Sequence, residues 1–191
     1  MADVLPGFVR IARSARREVN RKILLTGRPG CGKTTLIKRV VKELAFPAGG
    51  FYTEEMRERG GRVGFKIITL QGKETVLAHV DFKTAQRVGK YGLDLSGLET
   101  IGVEALRTAM RTRKLVVVDE IGPMEIRSCI FRDAVSEALD SPDTSGILGT
   151  ISARSLPFTD ALKRRRDVTV IEVRANNREQ LVAELSDQFR V

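Results

Sequence analysis

The strongest constraint on this chain is a glycine-rich loop that directly follows an apolar run. Residues 27–34 read Gly-Arg-Pro-Gly-Cys-Gly-Lys-Thr, and Ile23-Leu24-Leu25 precede them. The spacing G-x-x-x-x-G-K-[ST] after a strand is typical of a loop that surrounds phosphate groups and leads into a helix. Glycines let the backbone N–H groups turn toward an anion, and the helix start adds the positive end of its dipole. The pattern therefore predicts an α/β fold with a nucleoside triphosphate as ligand.

The last two residues of this loop carry separate roles. Lys33 is predicted to reach the β- and γ-phosphates, since a lysine at this spacing extends along the bound phosphate chain. The Thr34 hydroxyl is predicted to be one ligand of a Mg²⁺ ion that keeps most of its waters. We expect Lys33 to take part in catalysis and Thr34 in metal binding.

A second half of the site is predicted some eighty residues further on. Residues 115–118 read Leu-Val-Val-Val and end in Asp119-Glu120. An unbroken apolar run is typical of a parallel strand buried on both faces, and its carboxyl end opens onto the crevice where α/β sheets bind ligands. Asp119 is interpreted as the Walker B acid that holds Mg²⁺. Glu120 is the candidate general base for an attacking water.

Periodicity predicts a three-layer domain with a mostly parallel sheet and right-handed crossovers. After the loop we expect a helix at 35–45, then an antiparallel β ribbon formed by strands at 51–53, 63–70 and 75–80. A helix at 102–111 precedes the Asp119 strand, and Pro123 is predicted to open the next helix, through Leu139. The remainder is predicted as a strand at 146–151, a helix at 156–163, a strand at 168–173 and a helix at 177–189.

Composition and charge limit the class of protein. The 191 residues are 42% hydrophobic, which suits one domain with a single core. No apolar run approaches the ~18 residues of a spanning helix, and no secretory segment is evident, so we expect a cytoplasmic protein without a membrane span. Cys31 and Cys129 lack the spacing of a zinc site or a disulfide framework.

The chain is divided into a basic amphipathic extension at residues 1–21 and a P-loop domain at 22–191. The formal net charge is +9, and the extension is rich in arginine. This charge leaves nucleic acid open as a partner, although no nucleic-acid-binding module supports it. The apolar stripe of the extension could instead pack on the domain and leave its arginines in water.

Three further segments resemble a known family. They are Gly50-Phe51-Tyr52-Thr53-Glu54-Glu55, Gly64-Phe65, and Val118-Asp119-Glu120-Ile121-Gly122-Pro123-Met124-Glu125. With the P-loop they resemble the thermophile nucleoside-triphosphatases related to the human cancer-related nucleoside-triphosphatase. The likeness spans about residues 22–190. The Asp-Glu-Ile-Gly-Pro-Met-Glu string is specific to that family, whereas the P-loop is shared by a vast superfamily.

The resemblance implies a fold in which another strand separates the P-loop strand from the Walker B strand. It implies a monomeric or weakly associating Mg²⁺-dependent enzyme that cleaves the γ-phosphate of several nucleoside triphosphates with little base preference. Carried over by residue, the nucleotide site would consist of Gly27, Arg28, Pro29, Gly30, Cys31, Gly32, Lys33, Thr34 and Thr35, with Leu115, Val116, Val117, Val118, Asp119, Glu120, Ile121 and Gly122.

Other residues and other functions stay open at this point. Arg154 or the run at 163–166 could supply an arginine that stabilises charge on the transferred phosphoryl group. Phe51, Tyr52 and Phe65 could stack on a nucleobase or belong to the core. A nucleotide or small-molecule kinase would use the same phosphate site with a specific acceptor. A nucleic-acid-associated ATPase would show stimulation by RNA or DNA and salt-dependent binding.

Overall fold

The computed structural model describes residues 21–45, 47–142 and 144–189, and these form one sheet flanked by helices. The strand order across the sheet is β5-β6-β4-β3-β2-β7-β8-β1-β9. The strands are β1 (Arg21–Thr26), β2 (Ala48–Glu58), β3 (Gly61–Thr69), β4 (Glu74–His79), β5 (Arg87–Val88), β6 (Tyr91–Leu93), β7 (Leu115–Ile121), β8 (Gly146–Ile151) and β9 (Thr169–Glu172).

The helices lie on both faces of this sheet. They are α1 (Lys33–Glu43), α2 (Leu95–Gly97), α3 (Val103–Arg111), α4 (Cys129–Asp140), α5 (Pro157–Lys163) and α6 (Arg178–Gln188). A π-helical turn joins α2 to α3. None of the helices in the described ranges is long and apolar enough to cross a membrane. The predicted basic extension covers residues 1–21, of which residues 1–20 lie outside the described residues, and Arg21 is the first residue of β1.

The sheet has a parallel half and an antiparallel half, which confirms the predicted fold class. Strands β2, β7, β8, β1 and β9 pair in parallel, and β8 separates β1, which precedes the glycine-rich loop, from β7, which carries Asp119 and Glu120. Strands β2, β3, β4, β6 and β5 form the antiparallel ribbon. Strand β2 belongs to both halves, because it pairs in parallel with β7 over Ala48–Tyr52 and antiparallel with β3 from Phe51 onward.

Two apolar layers hold the sheet between the helices. Leu115 and Val117 of β7 pack with residues of α1 and α6, whereas Val116 and Val118 pack on the opposite face with residues of α3 and α4. All four side chains are fully buried. This alternation explains why the strand is apolar at successive positions, since both of its faces are covered by helices.

The prediction that Pro123 opens a helix was wrong. A turn at Pro123 and Met124 leads into a single 3₁₀ turn, and α4 begins only at Cys129. The reason is Ser128, whose extended backbone interrupts the helical path and whose hydroxyl accepts a hydrogen bond of 3.0 Å from the Phe131 N–H. A serine in this conformation caps a new helix and does not continue an old one. The two short strands β5 and β6 were also not predicted.

Replacement of Gly50 by alanine should destabilise the domain strongly. Gly50 has φ of 124°, and a Cβ there would overlap the backbone carbonyl oxygen of Val117 in β7. Backbone strain and overpacking each cost about 1–3 kcal/mol, so we expect urea denaturation to give a free energy of unfolding lower by about 2–5 kcal/mol. Gly61→Ala is the control, because its nearest neighbour would be 3.6 Å away. Equal effects of the two substitutions would contradict this account of the β2–β7 junction.

Candidate phosphate-binding site

The P-loop connects β1 to α1 and leaves the start of that helix without a side-chain cap. Gly32 precedes the helix with φ of 95°, a left-handed conformation that glycine adopts readily, and no side chain accepts a hydrogen bond from the first N–H groups. At Gly27, where φ is 142°, a Cβ would approach the carbonyl oxygen of Val173 to 2.7 Å. The loop is therefore tightly packed against Val173. The uncapped backbone N–H groups at the start of α1 suit an anion.

Lys33 is held in the concave side of this loop. Its side chain lies across the loop so that Nζ donates to the carbonyl oxygens of Gly27 at 3.2 Å and Arg28 at 3.5 Å, and the residue is only 9% exposed. Both acceptors are neutral. In the described part of the chain the hydrogen bonds of this ammonium go to carbonyls, so an anionic phosphate oxygen would give it a stronger, charge-assisted bond.

The Asp119 carboxylate lies at the carboxyl end of β7 and is nearly fully buried. Its Oδ1 accepts a hydrogen bond from the Thr150 hydroxyl of β8, and the Thr34 hydroxyl is close enough to the same carboxylate to lower its pKa. Burial raises the pKa of Asp119, while these two hydroxyls and the charge of Lys33 act in the opposite direction. The second oxygen, Oδ2, is buried and has no hydrogen-bond partner in the described structure.

This unpartnered oxygen is the observation that tests the site for a metal ion. A buried carboxylate oxygen without a partner is costly, and a hard divalent cation would satisfy it. The Thr34 hydroxyl near this carboxylate would offer a second oxygen ligand. Among the described residues no group of three or more His, Cys, Asp or Glu side chains could hold a metal. The residues therefore fit a cation that takes its other ligands from phosphate and water.

Glu120 follows Asp119 and faces the same cavity as Lys33. Burial is the main cause that raises the pKa of Glu120, the Asp119 carboxylate adds to the rise, and Lys33 and Arg154 lower it. A carboxylate with a raised pKa is a stronger base at neutral pH than an exposed one. The strand end is fixed from the other side by Thr53 of β2, whose hydroxyl donates to the Asp119 carbonyl oxygen at 2.8 Å.

A third acidic residue, Glu125, belongs to the site and was not among the predicted site residues. It is 4% exposed, and burial together with the charge of Glu120 raises the pKa of Glu125 to about 8. A Cβ on Gly122 would lie 3.0 Å from Glu125 Oε2 and 3.3 Å from the Glu120 carboxyl carbon. The absence of a side chain at Gly122 thus leaves room for both carboxyl groups. At neutral pH the Glu125 carboxyl is protonated and adds no charge.

One cavity of about 690 Å³ brings these groups together. From the predicted site it is lined by Gly27, Pro29, Gly30, Gly32, Lys33, Thr34, Thr35, Asp119 and Glu120. Glu125, Arg154 and part of the antiparallel ribbon complete the wall. Arg154 is therefore placed beside the predicted site, whereas the basic run at 163–166 is absent from the cavity wall.

Other predicted residues lie around the site without lining it. Arg28 is exposed, and Cys31 is partly buried on the loop. Ile121 and Gly122 are buried beneath the carboxyl groups, and the four residues before Asp119 are in the core, where they support the strand end. Phe51 is likewise a core residue that packs against Phe131 with ring centroids 6.1 Å apart. The aromatic side chains that do line the cavity are Phe65 and Tyr91.

Comparison with known proteins gives consistent matches over the same part of the chain. A family model described as NTPase matches residues 22–186. The nucleoside-triphosphatase THEP1 of Thermotoga sp. (strain RQ2) is 49% identical over 164 residues, which cover 86% of this chain and 92% of that protein. The crystal structure of THEP1 from the hyperthermophile Aquifex aeolicus superposes with a TM-score of 0.81 at 34% identity and covers 89% of this chain and 99% of that one.

A human protein extends the comparison beyond thermophiles. The solution structure of a human cancer-related nucleoside triphosphatase superposes with a TM-score of 0.75 at 37% identity, covering 88% of this chain and 96% of that one. The resemblance inferred from the Asp-Glu-Ile-Gly-Pro-Met-Glu string is thereby confirmed. The chain belongs to the NTPase family that contains the THEP1 nucleoside-triphosphatases and the human cancer-related nucleoside-triphosphatase.

Proposed function

We propose that this chain is a Mg²⁺-dependent nucleoside-triphosphatase that hydrolyses the γ-phosphate of ATP, GTP and other nucleoside triphosphates with broad base specificity. The observation that carries the proposal is the common cavity of Lys33, Asp119 and Glu120, in which one Asp119 oxygen has no partner. The names of the related proteins support the same activity.

Phosphate binding is assigned to the P-loop and to Lys33. The uncapped N–H groups at the start of α1 would donate to phosphate oxygens, and the Lys33 ammonium would exchange its contacts with loop carbonyls for a charged partner. These groups act on the phosphate chain, which all nucleoside triphosphates share. This is the physical support for broad base specificity.

The Thr34 hydroxyl and the Asp119 carboxylate would hold Mg²⁺. When bound, the ion neutralises charge on the β- and γ-phosphate oxygens. Thr150 keeps the Asp119 carboxylate oriented through its hydrogen bond to Oδ1, and this leaves Oδ2 as the oxygen available to a cation.

Glu120 would orient and deprotonate the attacking water. Its partial burial and its neighbour Asp119 both raise its affinity for a proton, which a general base requires. The protonated Glu125 beside it limits the negative charge that a triphosphate meets on entering the cavity. Arg154 lies near enough to Glu120 to lower its pKa, and it would stabilise charge on the phosphoryl group.

Lys33→Ala should weaken binding of nucleoside triphosphate and abolish turnover. The substitution removes the ammonium that donates to the loop carbonyls, and we expect a Kd raised by at least about tenfold and turnover reduced by at least about a hundredfold. Titration calorimetry and phosphate release measure the two effects. Lys42→Ala, an exposed lysine in the last turn of the same helix, is the control. Unchanged affinity in Lys33→Ala would exclude the assigned phosphate contact.

Glu120→Gln should retain Mg²⁺-nucleotide binding and lose hydrolysis by at least about a hundredfold, because an amide cannot accept the proton of water. The experiment measures phosphate release from ATP, GTP, CTP and UTP with Mg²⁺, with and without RNA, beside Glu104→Gln as an exposed control. Release from all four nucleotides that is lost in Glu120→Gln and unaffected by RNA is the expected result. Phosphate release that requires RNA would favour a nucleic-acid-associated ATPase. Normal turnover in Glu120→Gln would exclude Glu120 as the general base.

Glu125→Gln should remove a decrease in the free energy of unfolding that the wild type shows as the pH rises. The folded protein keeps Glu125 protonated up to a pKa of about 8, whereas the ordinary value is 4.5, so the favourable contribution is complete below about pH 4.5 and is lost as the pH rises toward 8. Relative to the wild type, the free energy of unfolding of Glu125→Gln should therefore increase between pH 5 and 8. Urea denaturation across this range measures it, with the exposed Glu58→Gln as control. A difference independent of pH would contradict the assigned protonation state.

A further inference from the structure

The cavity continues beyond the catalytic carboxylates onto the antiparallel ribbon. Past Glu120 its wall is formed by Arg62 and Phe65 of β3, by Val88 and Gly89, and by Tyr91 of β6. We call these five residues the ribbon end of the cavity. The function proposed above assigns no role to them.

The sheet order shows which part of a bound nucleotide would face the ribbon end. Strand β1 carries the P-loop, and the sequence of strands from it toward the ribbon is β8, β7, β2 and β3. The γ-phosphate is the group nearest to the metal acid and to the base at the end of β7. The nucleoside part of the triphosphate must therefore point away from β7, and the ribbon end lies beyond the γ-phosphate. A nucleotide held by the P-loop leaves this end free.

The ribbon end presents an ordered aromatic pair. The rings of Phe65 and Tyr91 meet edge to face, with centroids 5.3 Å apart and an interplanar angle of 74°. The Arg62 guanidinium lies 5.2 Å from the Phe65 centroid, and its Nε donates to the Tyr91 hydroxyl at 3.0 Å. A fixed aromatic and guanidinium surface of this kind is suited to stack on a planar ring.

The four charged side chains that line the cavity next to the pair form two ion pairs. Glu55 accepts from Arg62 Nη1 at 2.7 Å, and Glu54 pairs with Lys38. The two carboxylates and the two cations all line the cavity, and their formal charges cancel. Both cations of this wall already have a carboxylate partner, so a ligand can be held here without supplying a charge of its own. The Glu54 side chain is 36% exposed and its bond to Lys38 uses Oε1, so its Oε2 can accept from a hydroxyl donor.

We propose that the ribbon end is an acceptor subsite for a nucleoside, whose base stacks on Phe65 and whose ribose hydroxyls face Glu54 and Glu120. This inference rests on the proposed function, because it uses the same nucleoside triphosphate and the same general base, Glu120. A nucleoside hydroxyl takes the place of water. Its oxygen forms a bond to the γ-phosphorus as its proton passes to Glu120. The bond from the γ-phosphorus to the bridging oxygen breaks, and the nucleoside diphosphate leaves with that electron pair.

The test uses the protein of residues 1–191 with Mg²⁺ and ATP labelled in its γ-phosphate. Adenosine, guanosine, cytidine and uridine are added in turn, and labelled nucleoside monophosphate and labelled phosphate are separated by chromatography. The ratio of the two products does not depend on the fraction of folded protein. Phe65→Ala should lower this ratio by at least about tenfold through loss of stacking. Phe82→Ala is the matched control, since Phe82 is a half-buried ribbon phenylalanine outside this cavity.

The outcomes separate this inference from the proposed hydrolase function. Labelled monophosphate from at least one nucleoside, reduced in Phe65→Ala and retained in Phe82→Ala, would support the subsite. Phosphate release without any labelled monophosphate would overturn the subsite and leave the hydrolase proposal intact. An equal drop of the ratio in both variants would overturn the role of Phe65. Absence of both products would overturn both proposals.

Discussion

Burial of the Asp119 carboxylate is the constraint on which the rest of the site depends. A carboxylate removed from water is unfavourable unless its oxygens are satisfied. A hydroxyl group from β8 meets part of this requirement, and the remaining oxygen is buried without a hydrogen-bond partner in the described residues. The P-loop, β7 and β8 must therefore stay in fixed register for Asp119 to be tolerated. The same register brings Lys33 and Glu120 to one cavity.

The arrangement of acids also explains how three carboxyl groups can share one small region. Asp119, Glu120 and Glu125 would repel each other if all were charged in a place with little water. Burial keeps the proton on Glu125 at neutral pH, and Lys33 and Arg154 offset the charge on Glu120. The site thus presents fewer negative charges to a phosphate ligand than its composition suggests.

The site residues that could be predicted from the sequence are those that belong to a short local motif. Lys33 and Thr34 follow from the glycine pattern, and Asp119 and Glu120 follow from their position after a buried strand, so no tertiary information was needed. Glu125 could not be found in this way, because a glutamate in a turn is ordinarily exposed and only the fold encloses it. Thr150 gave a weak signal, as a polar residue in a fully buried strand. The strand of Tyr91 has only three residues, too few for a periodic pattern.

Strand β2 connects the two ends of the cavity. Because its residues pair in parallel with β7 and, further along, antiparallel with β3, the backbone that supports the carboxylates runs without interruption into the ribbon. Movement of the ribbon relative to the P-loop would break backbone hydrogen bonds between β2 and β7. It would also break the bond from the Thr53 hydroxyl to the Asp119 carbonyl oxygen. The two ends of the cavity are therefore joined through one continuous strand, and the length of β2 sets their separation. A ligand that occupies both ends would then be selected by how well it spans that separation.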